Sequence, residues 1–165
     1  MRKCLYLIPL AMLSTQRTAG ERLNVQVPAV LAKDAPMIDA VKAQCALPKV
    51  VGDDIFNSVS KVYGDSKKVD SEALAIGEPV LKTTILSAQG WAGGHWSGSK
   101  EITIRVDLVK DGKTLDSTTL DHSSSGGLTG AFKGTCDILH INAEKLAKQV
   151  AKWVETRRDI ISRAQ

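Results

Sequence analysis

Alternating apolar and polar positions are concentrated in the middle of the chain. Residues 80–86 form a run rich in β-branched side chains, which predicts a strand. Residues 102–108 alternate one apolar with one polar position, the period of a strand with one buried face. Asp111-Gly112 is a strong hairpin signal, so residues 114–120 are predicted to return as a third strand. Together these segments predict an antiparallel meander.

The N-terminal third predicts a strand followed by helices. Residues 22–27 alternate in the same way as the central strands. Asp34 is a suitable N-cap for a first helix with Pro36 in its first turn, and Cys45 then falls on the buried face.

Pro48 and Gly52 are expected to interrupt the chain after this first helix. A second short helix is then predicted from near Asp53 to Gly64, followed by a polar loop over residues 65–73.

The C-terminal part predicts one long amphipathic helix from Cys136, with Thr135 or Asp137 capping its start. The expected fold class is α+β. An antiparallel sheet of about four strands, the meander plus the N-terminal strand, packs against two shorter helices and the long C-terminal helix.

The first 20 residues have the layout of a secretory signal peptide. Arg2 and Lys3 precede a short apolar run, and small residues occupy the end before Glu21. This predicts an exported, periplasmic or secreted protein with a single α+β domain over residues 21–165; a buried N-terminal strand or helix is the alternative. The run is too short to cross a membrane, and Cys4 precedes it, where it cannot serve as a lipoprotein attachment site.

Most of the net positive charge of the chain lies in this segment. Arg2, Lys3 and Arg17 account for three of the four net positive charges, which leaves about +1 on residues 21–165. A nearly neutral domain lacks the basic surface of a nucleic-acid-binding protein, so no nucleic-acid partner is expected.

Two cysteines remain after the signal segment, Cys45 and Cys136. Because exported proteins meet an oxidising environment, we predict a disulfide between them. Two separate buried thiols are the alternative.

The segment before the last helix is rich in serine and glycine, over residues 123–135. In a Walker loop the lysine is followed by Ser or Thr, whereas here Lys133 is followed by Gly134. A structural loop is therefore favoured, and a small-ligand site in this loop is the alternative.

The histidines give no catalytic or metal-binding pattern. His95, His122 and His140 are widely spaced, so no metal and no cofactor are expected. Asp121-His122-Ser123 contains the residue types of a catalytic triad, but neighbouring residues of an extended chain point in different directions. A hydrolase using His95, His122 and Ser123 is the least favoured reading.

The best candidate binding surface is the glycine-rich turn that contains Trp91, His95 and Trp96. Exposed aromatic rings commonly anchor partners. The alternative is that one or both rings fold back onto the meander.

Several of these segments carry a resemblance to known proteins. Residues 93–100, Gly126-Gly127, residues 132–136 and a final helix with Trp153 resemble small uncharacterised exported proteins of Gram-negative bacteria. The order of elements is similar to the small α+β unit of the curli secretion lipoprotein and of the amino-terminal domain of the Tol-Pal propeller protein. The resemblance implies a periplasmic protein without known chemistry. We therefore expect a non-enzymatic protein that binds an envelope protein or glycan.

Overall fold

The computed structural model describes residues 22–71, 76–90, 98–125 and 133–165. Within these ranges the chain forms a mostly antiparallel sheet and a set of helices, so the α+β fold class is confirmed. The elements are β1 (Asn24–Gln26), β2 (Val30–Leu31), α1 (Asp39–Gln44), α2 (Leu47–Val59), β3 (Lys68–Val69), β4 (Val80–Gln89), β5 (Lys100–Lys110), β6 (Lys113–Ser124), α3 (Thr135–Glu155) and α4 (Arg158–Arg163).

The predicted meander is confirmed as β4, β5 and β6, which pair antiparallel in that order. The strands of the sheet follow the order β3-β1-β4-β5-β6, and β2 also pairs with β4. Asp111 has a φ of 49° and Gly112 a φ of 75°, so both turn residues adopt the left-handed conformation that an Asp-Gly hairpin needs. The sequence signal and the observed turn therefore agree.

The N-terminal segment makes the sheet larger than expected and partly parallel. Asn24 pairs with Val80, Val30 with Thr84, and Met37 forms a bridge with Ala88. The segment therefore follows β4 along almost its whole length, in the same direction. The expectation of about four strands left out β2 and β3, which are only two residues long and carry almost no periodic signal.

The first helix begins later than the sequence predicts. It starts at Asp39 rather than after Asp34, because Pro36 and Met37 remain in the extended segment beside β4. The Ala88 N–H donates to the Pro36 carbonyl oxygen at 3.1 Å, which holds this part of the chain out of a helix.

The second helix begins earlier than predicted, at Leu47. Pro48 lies in its first turn, where a missing N–H costs no hydrogen bond. Gly52 lies inside the helix because α2 packs closely on the N-terminal segment. A Cβ at position 52 would lie 2.9 Å from the Ala29 nitrogen. Close packing, and not helix propensity, accounts for glycine at this position.

The long C-terminal helix is confirmed, with two changes at its ends. It begins at Thr135, and the Asp137 carboxylate accepts the Gly134 N–H at 3.0 Å, as the capping prediction expected. It ends at Glu155, after which α4 forms a separate short helix.

The core lies between one face of the sheet and helices α2 and α3. It combines the inward-facing side chains of β4 and β5 with the apolar stripe of α3, including Ile85, Ile104, Leu108, Leu146 and Val150. The Tyr63 hydroxyl donates to the Val154 carbonyl oxygen at 3.2 Å and joins the turn that follows α2 to the end of α3. None of the described helices combines the length and apolar character needed to cross a membrane.

Candidate functional site

One end of the sheet brings together the attachment points of two glycine-rich segments. β4 ends at Gln89 and β5 begins at Lys100, which pairs with Ser124 at the end of β6. Residues 91–97 connect β4 to β5, and residues 126–132 connect β6 to α3. We call this the loop-bearing end and define it by residues 88–90, 98–101, 123–125 and 133–136.

A buried lysine contacts the residues on both sides of the 91–97 connection. Lys100 is fully buried, and its Nζ donates to the Gly98 carbonyl oxygen at 2.7 Å. Its aliphatic stem crosses Gly90, where an added Cβ would lie only 2.1 Å from Lys100 Cδ. Burial lowers the pKa of the Lys100 amine, because leaving water disfavours the charged form. One side chain therefore contacts both ends of the 91–97 connection.

A buried asparagine ties the long helix to the same place. Asn142 Nδ2 donates to the Lys100 carbonyl oxygen at 2.7 Å, and the Ser124 hydroxyl donates to Asn142 Oδ1 at 2.6 Å. Asn142 is fully buried, so these bonds satisfy polar groups that would otherwise be costly to bury. They fix the start of β5 and the end of β6 against α3.

The predicted disulfide is confirmed between Cys45 and Cys136, with a Cα–Cα distance of 5.0 Å. It joins the end of α1 to the first turn of α3. His140 Nε2 lies 2.8 Å from the Cys45 carbonyl oxygen, which adds a second contact between the same two elements. The disulfide and Asn142 therefore both anchor α3 near its start, the first to α1 and the second to the ends of β5 and β6.

An open depression lies beside the end of β4, with a volume of about 430 Å³. Ile38 on its rim is 38% exposed. Its lining is mainly apolar and consists of Pro36, Met37, Ile38, Ala88, Gln89 and Gly90.

The predicted surface residues Trp91, His95 and Trp96 lie outside the described residues, as does most of the glycine-rich segment before Cys136. Their role stays a prediction. The structure adds two buried side chains at the described part of this end, Lys100 and Asn142, which sequence reasoning missed. Lys100 lies two residues before the buried Ile102 and therefore on the same face of β5. Strand alternation was the sequence signal that could have predicted its burial.

The triad residue types do not converge in the described residues. His122 pairs with the buried Ile102 and shares its face of the sheet, whereas Ser123 pairs with Glu101 on the opposite face. His140 lies on α3 and contacts the Cys45 backbone. Among the described residues, no group of three or more His, Cys, Asp or Glu side chains is placed to hold a metal ion.

Comparisons with known proteins show similarity at the level of the fold. No protein-family model and no curated protein sequence matches this chain. The chain is similar to the PelC dodecamer from Paraburkholderia phytofirmans, with a TM-score of 0.52 and 11% identity over 78% of this chain and 87% of that one. It is also similar to a DUF330 protein from Xanthomonas campestris, with a TM-score of 0.50 and 12% identity over 86% of this chain and 91% of that one. Both are bacterial proteins, and at this identity the likeness concerns the fold alone.

Proposed function

We propose that this chain is a non-enzymatic, exported protein of the bacterial cell envelope, and that it binds an envelope protein or glycan at its loop-bearing end. The observation that supports the proposal is the set of buried contacts that hold that end in place. One glycine-rich connection joins β4 to β5 and the other joins β6 to α3; Lys100 and Asn142 hold the strand ends in place, and the disulfide holds the start of α3 against α1. Binding residues commonly lie on loops that a rigid scaffold positions.

The disulfide supports the exported location, because such bonds persist in the periplasm and outside the cell and are rare in the cytosol. PelC, which shares the fold, forms a dodecamer. The fold is thus compatible with assembly into larger complexes, as expected of an envelope component.

A binding role fits the chemistry of the described part of this end better than catalysis. The polar groups of Lys100, Asn142 and Ser124 are engaged with the protein itself, in bonds that hold strands and helix together. A catalytic group would have to reach a substrate. The apolar depression beside Gly90 is suited to receive an apolar group of a partner.

The test replaces Trp91 and Trp96 together with alanine. We expect capture of the envelope partner to fall about tenfold or more, since aromatic anchors dominate binding energy. Capture is measured by pull-down from solubilised envelopes and by titration of the partner so identified.

The matched control is Ile76→Ala, which removes an apolar side chain that is 87% exposed. This residue lies near the opposite end of the sheet, where the neighbouring Gly77 N–H donates to Asp111. The control should bind like the natural protein. Capture that is unchanged in the double tryptophan variant, at an unchanged unfolding midpoint, would refute the proposed surface.

A further inference from the structure

The outer edge of β6 is open in the part of the chain that the structure describes. β6 is 12 residues long and pairs with β5 on one side, and no described strand lies on its other side. Among the described residues, the backbone hydrogen bonds outside the strand ladders include none from residues 113–124. A strand with one open edge presents N–H and C=O groups that another strand can pair with.

Within the described ranges, features that protect the edge occur at the beginning of β6. The pairing of β5 with β6 shifts between Leu108 and Val109, which places an irregularity at the start of β6. The Asp116 carboxylate accepts the Ser117 N–H at 2.8 Å and also binds Arg157. From Asp116 to Ser124 the pairing is regular for nine residues, which corresponds to about 30 Å of strand. This stretch contains no proline, lysine or arginine, residues that commonly protect open edges, and its only acidic side chains are Asp116 and Asp121.

We propose that a second copy of this chain pairs with this edge, antiparallel, in the register that places Leu120 opposite Leu120. The midpoint of the regular stretch is Leu120, so this register sets all nine residues opposite those of the copy, with the Ser117 N–H that Asp116 binds near the end of the ladder. Both sheets then join into one, with the helices of both copies on the same side.

The side chains of β6 favour this register over its neighbours. Side chains that lie directly opposite each other must point to the same face of the joined sheet. Because the helices of both copies are on one side, each possible register is centred on a single residue of β6. In the proposed register Asp121 lies opposite Thr119, so its carboxylate faces a hydroxyl, and Asp116, whose carboxylate is held by Ser117 and Arg157, lies opposite the neutral Ser124. A register centred on Asp121 places the two Asp121 carboxylates opposite each other, which is destabilising. A register centred on Thr119 runs into the irregularity at the start of β6 and shortens the regular ladder.

The pairing has a consequence for the arrangement of the binding surfaces. Because the two β6 strands run antiparallel, the loop-bearing ends of the two copies point in opposite directions. Pairing at the edge of the sheet does not depend on what the loop-bearing end binds.

The test uses single cysteines on the exposed outer face of β6, in a Cys4→Ser background that keeps the Cys45–Cys136 bond. Thr119→Cys and Asp121→Cys are prepared separately, with tags of different size, and mixed under mild oxidation. Directly opposite residues on paired strands lie within disulfide range. We expect the Thr119→Cys and Asp121→Cys proteins to cross-link with each other about tenfold faster than either does with itself. Sedimentation should show a concentration-dependent dimer of the natural protein.

The matched control mixes Ser117→Cys with Asp121→Cys, which are not opposite in this register because Ser117 faces Ser123. A preference for the control pair would overturn the register. A natural protein that stays monomeric at every concentration, together with equal cross-linking of all pairs, would overturn the self-association. Either result would leave capture at the loop-bearing end as a separate question, since that assay changes Trp91 and Trp96 and not β6.

Discussion

Replacing both Cys45 and Cys136 with alanine will lower the free energy of unfolding by about 4–5 kcal/mol. The bond joins residues 91 positions apart, and closing a loop of this length removes much of the conformational entropy of the unfolded chain. In the folded state it holds the end of α1 against the start of α3. We expect the largest stability loss of any change considered, measured by urea unfolding, with a fall in Tm of roughly 10–20 °C.

Reduction of the natural protein provides the control for this variant. A reducing agent should lower the urea midpoint of the natural protein toward that of the double alanine variant and should leave the variant unchanged. Cys45 is only 1% exposed, so the variant also loses some buried contact, and its stability should lie at or slightly below that of the reduced protein. A loss of less than about 1 kcal/mol would show that the bond adds little to the chain's stability.

Replacing Gly90 with alanine will destabilise the protein by about 2–4 kcal/mol, which combines strained backbone with a crowded contact. The φ of Gly90 is 145°, a conformation that residues with a side chain rarely adopt, and the new Cβ would meet Lys100 Cδ at 2.1 Å. The lysine stem must then move away from its buried path. Chemical denaturation measures the loss.

Gly98→Ala is the matched control, because Gly98 has a φ of 86° and no atom within 4 Å of an added Cβ. Gly98→Ala should introduce backbone strain without a clash against a neighbouring side chain. Its free energy of unfolding should therefore fall less than that of Gly90→Ala. Shortening the lysine, as in Lys100→Ala, should remove the clash, so the effects of Gly90→Ala and Lys100→Ala should be strongly non-additive. Additive effects would contradict the packing of Lys100 on Gly90.

The parts of the fold that follow from local pattern were predicted correctly. The meander has strict alternation and an Asp-Gly turn, and the C-terminal helix has a long apolar stripe, so neighbouring residues alone indicate both. The disulfide followed from the pairing of two cysteines in a chain whose first residues predict export.

The parts that depend on distant contacts were predicted wrongly or missed. Asp34 and Pro36 look like the start of a helix, but the hydrogen bond from Ala88 to Pro36 holds them beside β4. Gly52 looks like a helix interruption, but it lies where α2 approaches the backbone of Ala29. Contacts between residues far apart in sequence decide both cases, and a local pattern does not contain them.

In the candidate site, too, the sequence indicated some residues and missed others. Sequence indicated the aromatic turn of Trp91, His95 and Trp96, because large rings among glycines stand out in a chain with few aromatics. It did not indicate Lys100 or Asn142, because a lysine at a strand start and an asparagine in a helix usually face solvent. Their burial depends on the meeting of β5, β6 and α3.

Site-specific photo-cross-linking in exporting cells tests the binding role of the loop-bearing end most directly. The photoreactive residue replaces Ser99, which is exposed at this end, or Lys113, which is exposed at the opposite end of the sheet. We predict that the probe at position 99 labels a discrete envelope protein or glycan, that replacing Trp91 and Trp96 with alanine abolishes this product, and that the probe at position 113 does not form it. No product at position 99, or the same product from both positions, would contradict a binding surface at the loop-bearing end.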